Sequence, residues 1–192
     1  MMSPFMKPAD PCADRHPNDV FGRLFRDCEH LPAVRCAVVH PCDKDSLEGA
    51  LEAAKLGLIE PVLVGPQAKI RAVADAAGWD LSPWRIVDTE HSHEAADVAV
   101  ALARSGEVQA LMKGSLHTDE LMAAVVSAST GLRTGRRVSH VFVMDVPAYP
   151  RMLMVTDAAV NIAPTIRDKV DLVQHAIALA HVLAVPQPKV AI

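Results

Sequence analysis

From Arg35 to about Ser129, short apolar runs alternate with longer stretches whose apolar residues recur every three or four positions. No other feature of the chain narrows its fold so far. Arg35–Val39, Pro61–Val64, Arg85–Val87 and Val108–Met112 are short and nearly continuous in Val, Ile, Leu and Ala, the pattern of strands covered on both faces. Between them, Leu47, Ala50, Leu51, Ala54 and Leu58 fall on one helical face, as do Ile70, Val73, Ala74 and Ala77. The same period returns in Ala95, Val98, Ala99 and Leu102 and again in Leu121, Met122, Val125 and Ala128, in a helix running to about Ser129. Asp43–Ser46 supply start residues, Pro66 suits a first helical position, and Gly57, Gly78 and Gly106 mark stops. Strands and helices alternating at this length predict an α/β fold of three layers, α/β/α, around a mostly parallel sheet.

The rest of the chain divides around that block. Residues 1–18 hold Pro4, Pro8, Pro11 and Pro17 and read as a loose leader. A helix follows from Asp19 to His30, so the first lobe is expected over 19–134. Gly131 and Gly135 then loosen the chain before a second lobe over 135–192. There, Val141–Met144 and Met152–Val155 read as neighbouring strands joined by a turn that Pro147 and Pro150 keep out of any ladder. Pro164 and Thr165 open a long helix, with Asp168 placed for a capping box and Val170, Val173, Ile177 and Ala180 on its buried side. Lys189–Ile192 reads as the start of a further strand.

Composition removes several function classes. The net charge of -4, from 19 basic and 23 acidic residues, gives no electrostatic reason to expect nucleic acid or an anionic membrane as partner. Any anion needs a local basic patch. No apolar run approaches a membrane span: Ala176–Val185 is interrupted by His181, and Lys7, Asp10 and Asp14 break any secretory core. Cys12, Cys28, Cys36 and Cys42 include no CxxC pair, so zinc-ribbon and thiol-redox motifs are unsupported and a reduced, cytoplasmic protein is expected.

Three places carry candidate chemistry. Lys113, Gly114 and Ser115 follow a strand and precede a helix, with His117 and Thr118 at its start. A glycine there lets backbone amides approach a ligand, the helix start favours negative charge and the lysine adds a cation, a set suited to phosphate. The order is not that of a Walker A loop, since position 109 is Gln. An ordinary strand-to-helix turn has the same composition. Arg133, Arg136 and Arg137, with Thr134 among them, form the densest basic cluster and lead into Ser139 and His140; an arginine fork fits phosphate or carboxylate, and a solvated loop is the other reading. Asp145, Thr156, Asp157 and Asn161 stand at the ends of the late strands, as cleft residues or as turn residues. His91, Ser92 and His93 read as structural, and neither GxGxxG nor GxSxG is present.

Taken together, LMKGSLHTDELM, GLRTGRRVSHVFVMDVPAYPRMLMVTDAAVNIAPT, HAIALAHVL with PKVAI, and the earlier LEGALEAAKLGLIEPVLVG resemble the phosphate acetyltransferase and phosphate butyryltransferase family, on its butyryl-type side. The resemblance runs from about Val34 to Ile192 and extends to the C-terminal region of enzymes fused to an enoyl-CoA hydratase. It implies two α/β lobes of the isocitrate/isopropylmalate dehydrogenase type, the second incomplete here. It also implies reversible transfer of a short acyl group between coenzyme A and orthophosphate, with no metal or resident cofactor. Lys113, Gly114, Ser115, His117, Thr118, Arg133, Thr134 and Ser139 are then expected to line the cleft, with Asp157 and Asn161 on its second wall. The family's catalytic base, an aspartate, is expected beyond Ile192. The alternative is a truncated, catalytically inactive module that binds an anion or coenzyme A or serves in assembly. An unfinished sheet edge at Lys189–Ile192 leads to the expectation of a homo-oligomer, a dimer.

Overall fold

A computed structural model describes residues 19–192; the leader expected over 1–18 lies outside the described residues. In chain order the elements are α1 (Val20–Cys28), β1 (Val34–Val39), α2 (Lys44–Lys55), β2 (Ile59–Gly65), α3 (Gln67–Ala77), β3 (Arg85–Asp88), α4 (Ser92–Arg104), β4 (Ala110–Lys113), α5 (Thr118–Val125), β5 (Phe142–Met144), β6 (Leu153–Val155) and α6 (Ile166–Val182). They fall into two compact units, Leu31–Arg133 and a second made of residues 19–30 with Thr134–Ile192.

The unit Leu31–Arg133 is the three-layer block that the periodicity predicts. Its four strands are all parallel and lie in the order β3-β2-β1-β4. Successive side chains of a strand point to opposite faces, and the packing follows that rule. Val38 and Leu63 pack with Leu47, Ala50, Leu51, Ile70 and Ala74 of α2 and α3. Their neighbours Ala37, Val39, Val62 and Val64 face α4 and α5 through Ala95, Ala99, Leu121 and Ala124. A sheet buried on both sides has no polar face, which is why these strands read as continuous apolar runs.

The helix ends explain where the chain departs from its simplest expectation. Asp43 caps α2 by accepting from the Ser46 amide at 2.8 Å, and the helix ends at Lys55, so Leu58 leads into β2 and is not part of the helical stripe. Pro66 is the residue before α3, not its first; lacking a side-chain cap, α3 is capped across space by Asp88, whose carboxylate accepts from the Gln67 amide at 2.8 Å. His91 caps α4, its Nδ1 accepting from the Glu94 amide at 3.1 Å, which gives the His91–His93 stretch its structural role. α5 stops at Val125, short of Ser129, because the Leu132 amide turns back to the Val125 carbonyl at 2.8 Å and the Ser127 and Thr130 hydroxyls bond each other.

In the second unit, β5 and β6 form an antiparallel pair with Phe142 opposite Val155 and Met144 opposite Leu153. Both strands are short, and the described residues hold no three-layer sandwich here. α1 groups with this unit, whereas the sequence placed it in the lobe 19–134. Asp19 caps it, and the Val20 amide reaches the Asp145 carboxylate at the end of β5, 3.4 Å away. α6 begins with the expected capping box, Thr165 and Asp168 each bonding the other's backbone. Lys189–Ile192 is not a strand: it is irregular and exposed, Pro186 and Pro188 before it supply no amide donors, and no strand of the described residues pairs with it. The edge on which the expectation of self-association rests is therefore not formed.

Candidate functional site

In a parallel sheet ordered β3-β2-β1-β4 the chain leaves β1 toward β2 on one side and reaches β4 on the other. The carboxyl ends of β1 and β4 thus border the crevice where such folds bind ligands. Val39 pairs with Lys113 in register, so the residues that follow, His40 from β1 and Gly114 and Ser115 from β4, meet at that crevice.

Gly114 is there because nothing larger fits. A Cβ would stand 2.5 Å from the Val39 carbonyl oxygen and 2.6 Å from that of His40, backbone atoms that cannot swing away. The Gly114 and Ser115 amides bond those same two oxygens at 2.9 and 3.0 Å. His40 holds a left-handed backbone, φ 55°, in which its amide bonds the Val64 carbonyl at 2.7 Å and its own carbonyl accepts from the Cys42 amide at 2.9 Å. Histidine tolerates that region better than most residues, and the surrounding bonds fix it. Its ring Nδ1 lies 3.1 Å from the Ser115 hydroxyl, which also sits 2.8 Å from the His40 carbonyl and accepts from the Cys42 amide at 3.3 Å.

Charge converges on the same spot. The Lys113 ammonium donates to the carbonyls of Gly114 at 3.0 Å and Leu116 at 2.9 Å, which leaves one of its three protons and its full charge for a ligand. Burial lowers the His40 pKa from its usual value and Lys69 of α3 lowers it further, against the opposing pull of Glu120 in α5 and Asp43. Hydrogen bonds from Ser46 hold the Asp43 carboxyl below the usual range. Burial pushes the Cys42 thiol up, so this thiol is protonated near neutrality and is no nucleophile at rest. His117 precedes α5 without capping it, and Thr118 is exposed in the first turn, where Asp119 and Glu120 already add negative charge. Arg133 closes this unit on an exposed loop with no bonding partner among the described residues.

The second unit carries its own polar cluster. Ser139 Oγ and His175 Nδ1 of α6 are 2.8 Å apart. Thr134 accepts from the Arg136 amide at 3.2 Å. Arg137 is spent internally, its Nε donating to Asp168 at 2.8 Å and its amide to Asp171 at 3.2 Å. Asp157 is a turn residue: its carboxylate accepts from the Ala159 and Val160 amides at 3.1 Å, from the Asn161 amide at 3.2 Å and from the Asn161 side chain. Burial alone raises the Asp157 pKa, but these bonds outweigh it and hold the carboxyl below the usual range. Asn161 also donates to the Val138 carbonyl at 2.9 Å, so both groups tie the loop after β6 to the strand entry. A hollow of about 740 Å³ lies elsewhere in this unit, between α1, β6 and the segment after α6.

Of the residues the sequence nominates, Lys113, Gly114 and Ser115 are brought together, with His117 and Thr118 just along the chain. Ser139, Asp157 and Asn161 belong to the second cluster. His40, Lys69 and His175 escape a motif search. The available signal for His40 was its place directly after a buried parallel strand, the same place Lys113 holds after β4.

The fold of this unit is that of a doubly wound α/β protein, with the loop that carries Lys113, Gly114 and Ser115 at the switch between β1 and β4. The model of the family described as "Phosphate acetyl/butaryl transferase" matches residues 93–192, slightly more than half of the 192-residue chain, and the chain belongs to that family. It is 51% identical over 174 residues to a phosphate acetyltransferase of Rickettsia felis, covering 91% of this chain and 50% of that protein. It is 57% identical over 161 residues to a phosphate acetyltransferase of Rhizobium meliloti, covering 84% and 51%. To a phosphate butyryltransferase of Clostridium beijerinckii it is 35% identical over 171 residues, covering 89% and 57%, so identity is higher to the two acetyltransferases. A phosphotransacetylase structure from Streptococcus pyogenes shares the fold with a TM-score of 0.71 at 16% identity, over 86% of this chain and 58% of the other. The chain spans about half the length of the curated relatives it matches. No helix among the described residues is long and apolar enough to cross a membrane.

Proposed function

We propose that the protein serves in the transfer of a short acyl group between coenzyme A and orthophosphate, with the Lys113–Ser115 loop holding an anionic group of the substrates. In that reaction the thiol sulfur attacks the carbonyl carbon of an acyl phosphate, the carbon–oxygen bond to phosphate breaks, and the thiol proton ends on phosphate. A free thiol, with a pKa of about 8.5, is only a few per cent ionised at neutral pH, so the reaction gains from a base at the sulfur and from cations at the phosphate. The observation that carries this reading is the Lys113 ammonium beside the Gly114 and Ser115 turn at the carboxyl ends of β1 and β4, in a chain of this family. Arg133, exposed and unpartnered among the described residues, is the second phosphate ligand in this reading. Coenzyme A is a substrate, and no resident metal or cofactor takes part.

The second reading is a module that binds coenzyme A or phosphate without turnover. Thiol release from acetyl-CoA or butyryl-CoA with orthophosphate separates the two. Phosphate-dependent release that Lys113→Ala and Arg133→Ala both weaken supports the transferase. Binding of coenzyme A without release supports the module, and neither release nor binding overturns both.

A further inference from the structure

The hollow of about 740 Å³ in the second unit is bordered by an unbroken run of chain from Met152 to Thr156. Successive side chains of a strand point to opposite faces, so such a run borders one hollow along its backbone edge. β5 takes the other edge of β6, and the two-stranded sheet ends there. Beyond that ladder the backbone groups of residues 152–156 make no further backbone bond among the described residues. In an antiparallel pair alternate residues turn their N–H and C=O away from the partner strand, and those of β6 therefore face the hollow unpaired.

The remaining walls are largely apolar, with Leu24 of α1, Ile177 of α6 and Val190 among them. The charged lining residues are Arg23, Arg151 and Lys189 against the single carboxylate of Asp27, in a chain whose net charge is -4. All four are exposed, and no ion pair or hydrogen bond ties the side chains of the three cations among the described residues. The local sign is thus opposite to that of the whole chain.

We propose that this hollow docks an extended acidic segment of a partner protein, which adds to β6 as a third strand. Its backbone bonds the free edge, its alternate apolar side chains fill the hollow, and its carboxylates meet Arg23, Arg151 and Lys189. Strand addition of this kind draws affinity from main-chain bonds and specificity from the pockets for alternate side chains. A fatty acyl chain matches the apolar walls but leaves the edge amides and carbonyls of β6 bare, at the cost of burying unpaired polar groups. A second copy set edge to edge brings the same cations together from both sides, which charge opposes. The site lies outside the Lys113–Ser115 loop, and the acyl-transfer reading does not depend on it.

The test titrates the 192-residue chain with fluorescein-labelled, C-terminally amidated peptides in which Glu alternates with Val, Ile or Leu, followed by fluorescence anisotropy and by NMR of the backbone amides. Saturable binding is expected, with amide shifts concentrated at residues 152–156, and replacing every Glu of the peptide by Lys weakens it about tenfold or more. N-methylation of every second peptide residue, made in both phases, separates strand addition from simple charge attraction. Methyl groups in the phase that faces β6 abolish binding, and those in the other phase leave it within about threefold. Arg151→Glu weakens binding of the Glu peptides about threefold or more. Absence of saturable binding, equal binding of the two N-methylated forms, or equal binding of the Glu and Lys peptides overturns the proposal. Self-association that shifts the amides of residues 152–156, and that the Glu peptides do not displace, assigns the edge to a second copy and overturns it as well. If Arg151→Glu does not fold, the peptide variants decide alone, because they leave the protein unaltered.

Discussion

Val38 and Leu63 in one unit, and Phe142 and Leu153 in the other, are all apolar strand residues, yet the first pair is wholly buried and the second is 46% and 40% exposed. Strand pairing accounts for the difference. Parallel neighbours have to be joined by crossovers, which here are α2, α3 and α4, and those helices cover both faces of the sheet. An antiparallel hairpin needs only a turn, so β5 and β6 form while Phe142, Met144, Leu153 and Val155 stay exposed among the described residues. The serine–histidine pairs differ in the same way. Ser115 and His40 are locked to strand backbone on three sides, whereas Ser139 and His175 join a loop to one helix face. Precision in this molecule thus follows from how many layers hold a residue.

Core truncation gives the sharpest break of that comparison. Leu63→Ala removes a fully buried side chain between α2, α3 and the sheet and is expected to cost about 3 to 4 kcal/mol. Leu153→Ala on the exposed hairpin face costs about 1 kcal/mol or less. Urea unfolding measures both, and equal losses sink the contrast. Next in size is the glycine pair. Gly114→Ala forces a methyl against two strand carbonyls and is expected to cost about 2 to 3 kcal/mol, while Gly135→Ala, with open space around it, stays within about 0.5 kcal/mol. A stable Gly114→Ala variant, judged by its melting temperature, contradicts the tight approach of β4 to the end of β1.

The same asymmetry explains what was legible in the sequence. Strands covered on both faces write themselves as apolar runs, and the helices over them keep a strict period, so the block 31–133 can be read from residues such as Val38, Leu63 and Ala99 alone. Lys113, Gly114 and Ser115 were legible as the junction between a buried strand and a helix, while their composition alone did not separate an anion-binding loop from an ordinary turn. His40 was not, because its role depends on β1 lying beside β4, a pairing of residues far apart in the chain. Asp157 and Asn161 were visible as polar groups at a strand end, but nothing local told a ligand wall from a self-bonded turn. Lys189–Ile192 has strand composition, and composition does not supply the neighbour a strand requires.

Asp157 gives the intermediate effect, and it belongs to the less covered unit. Three backbone amides and the Asn161 side chain rely on its carboxylate, so Asp157→Ala is expected to cost about 1 to 2 kcal/mol. The sign with pH follows from its lowered pKa. The unfolded carboxyl, near 3.8, binds a proton before the folded one. This contribution is therefore complete above the unfolded value and is lost as pH falls through the folded one. A wild-type protein whose stability is unchanged by acid in that range, or a variant that loses as much with acid as the wild type does, removes Asp157 from the account.

The smallest effect is set by His40 and appears at milder pH in the other unit. Its pKa is below 6.5 in the folded protein, by burial and then by Lys69, so between the folded value and 6.5 the unfolded chain binds more protons. Stability contributed by the neutral ring is then complete above pH 6.5 and declines as pH falls through the folded midpoint. Hydrogen exchange resolves the two units separately, because opening free energies are local. Between pH 7.5 and 5.5, protection of β1 and β4 amides is expected to drop slightly more than that of β5 and β6, and His40→Asn is expected to abolish the difference. A matching drop in both units, or one that persists in His40→Asn, places the titrating group somewhere other than the crevice between β1 and β4.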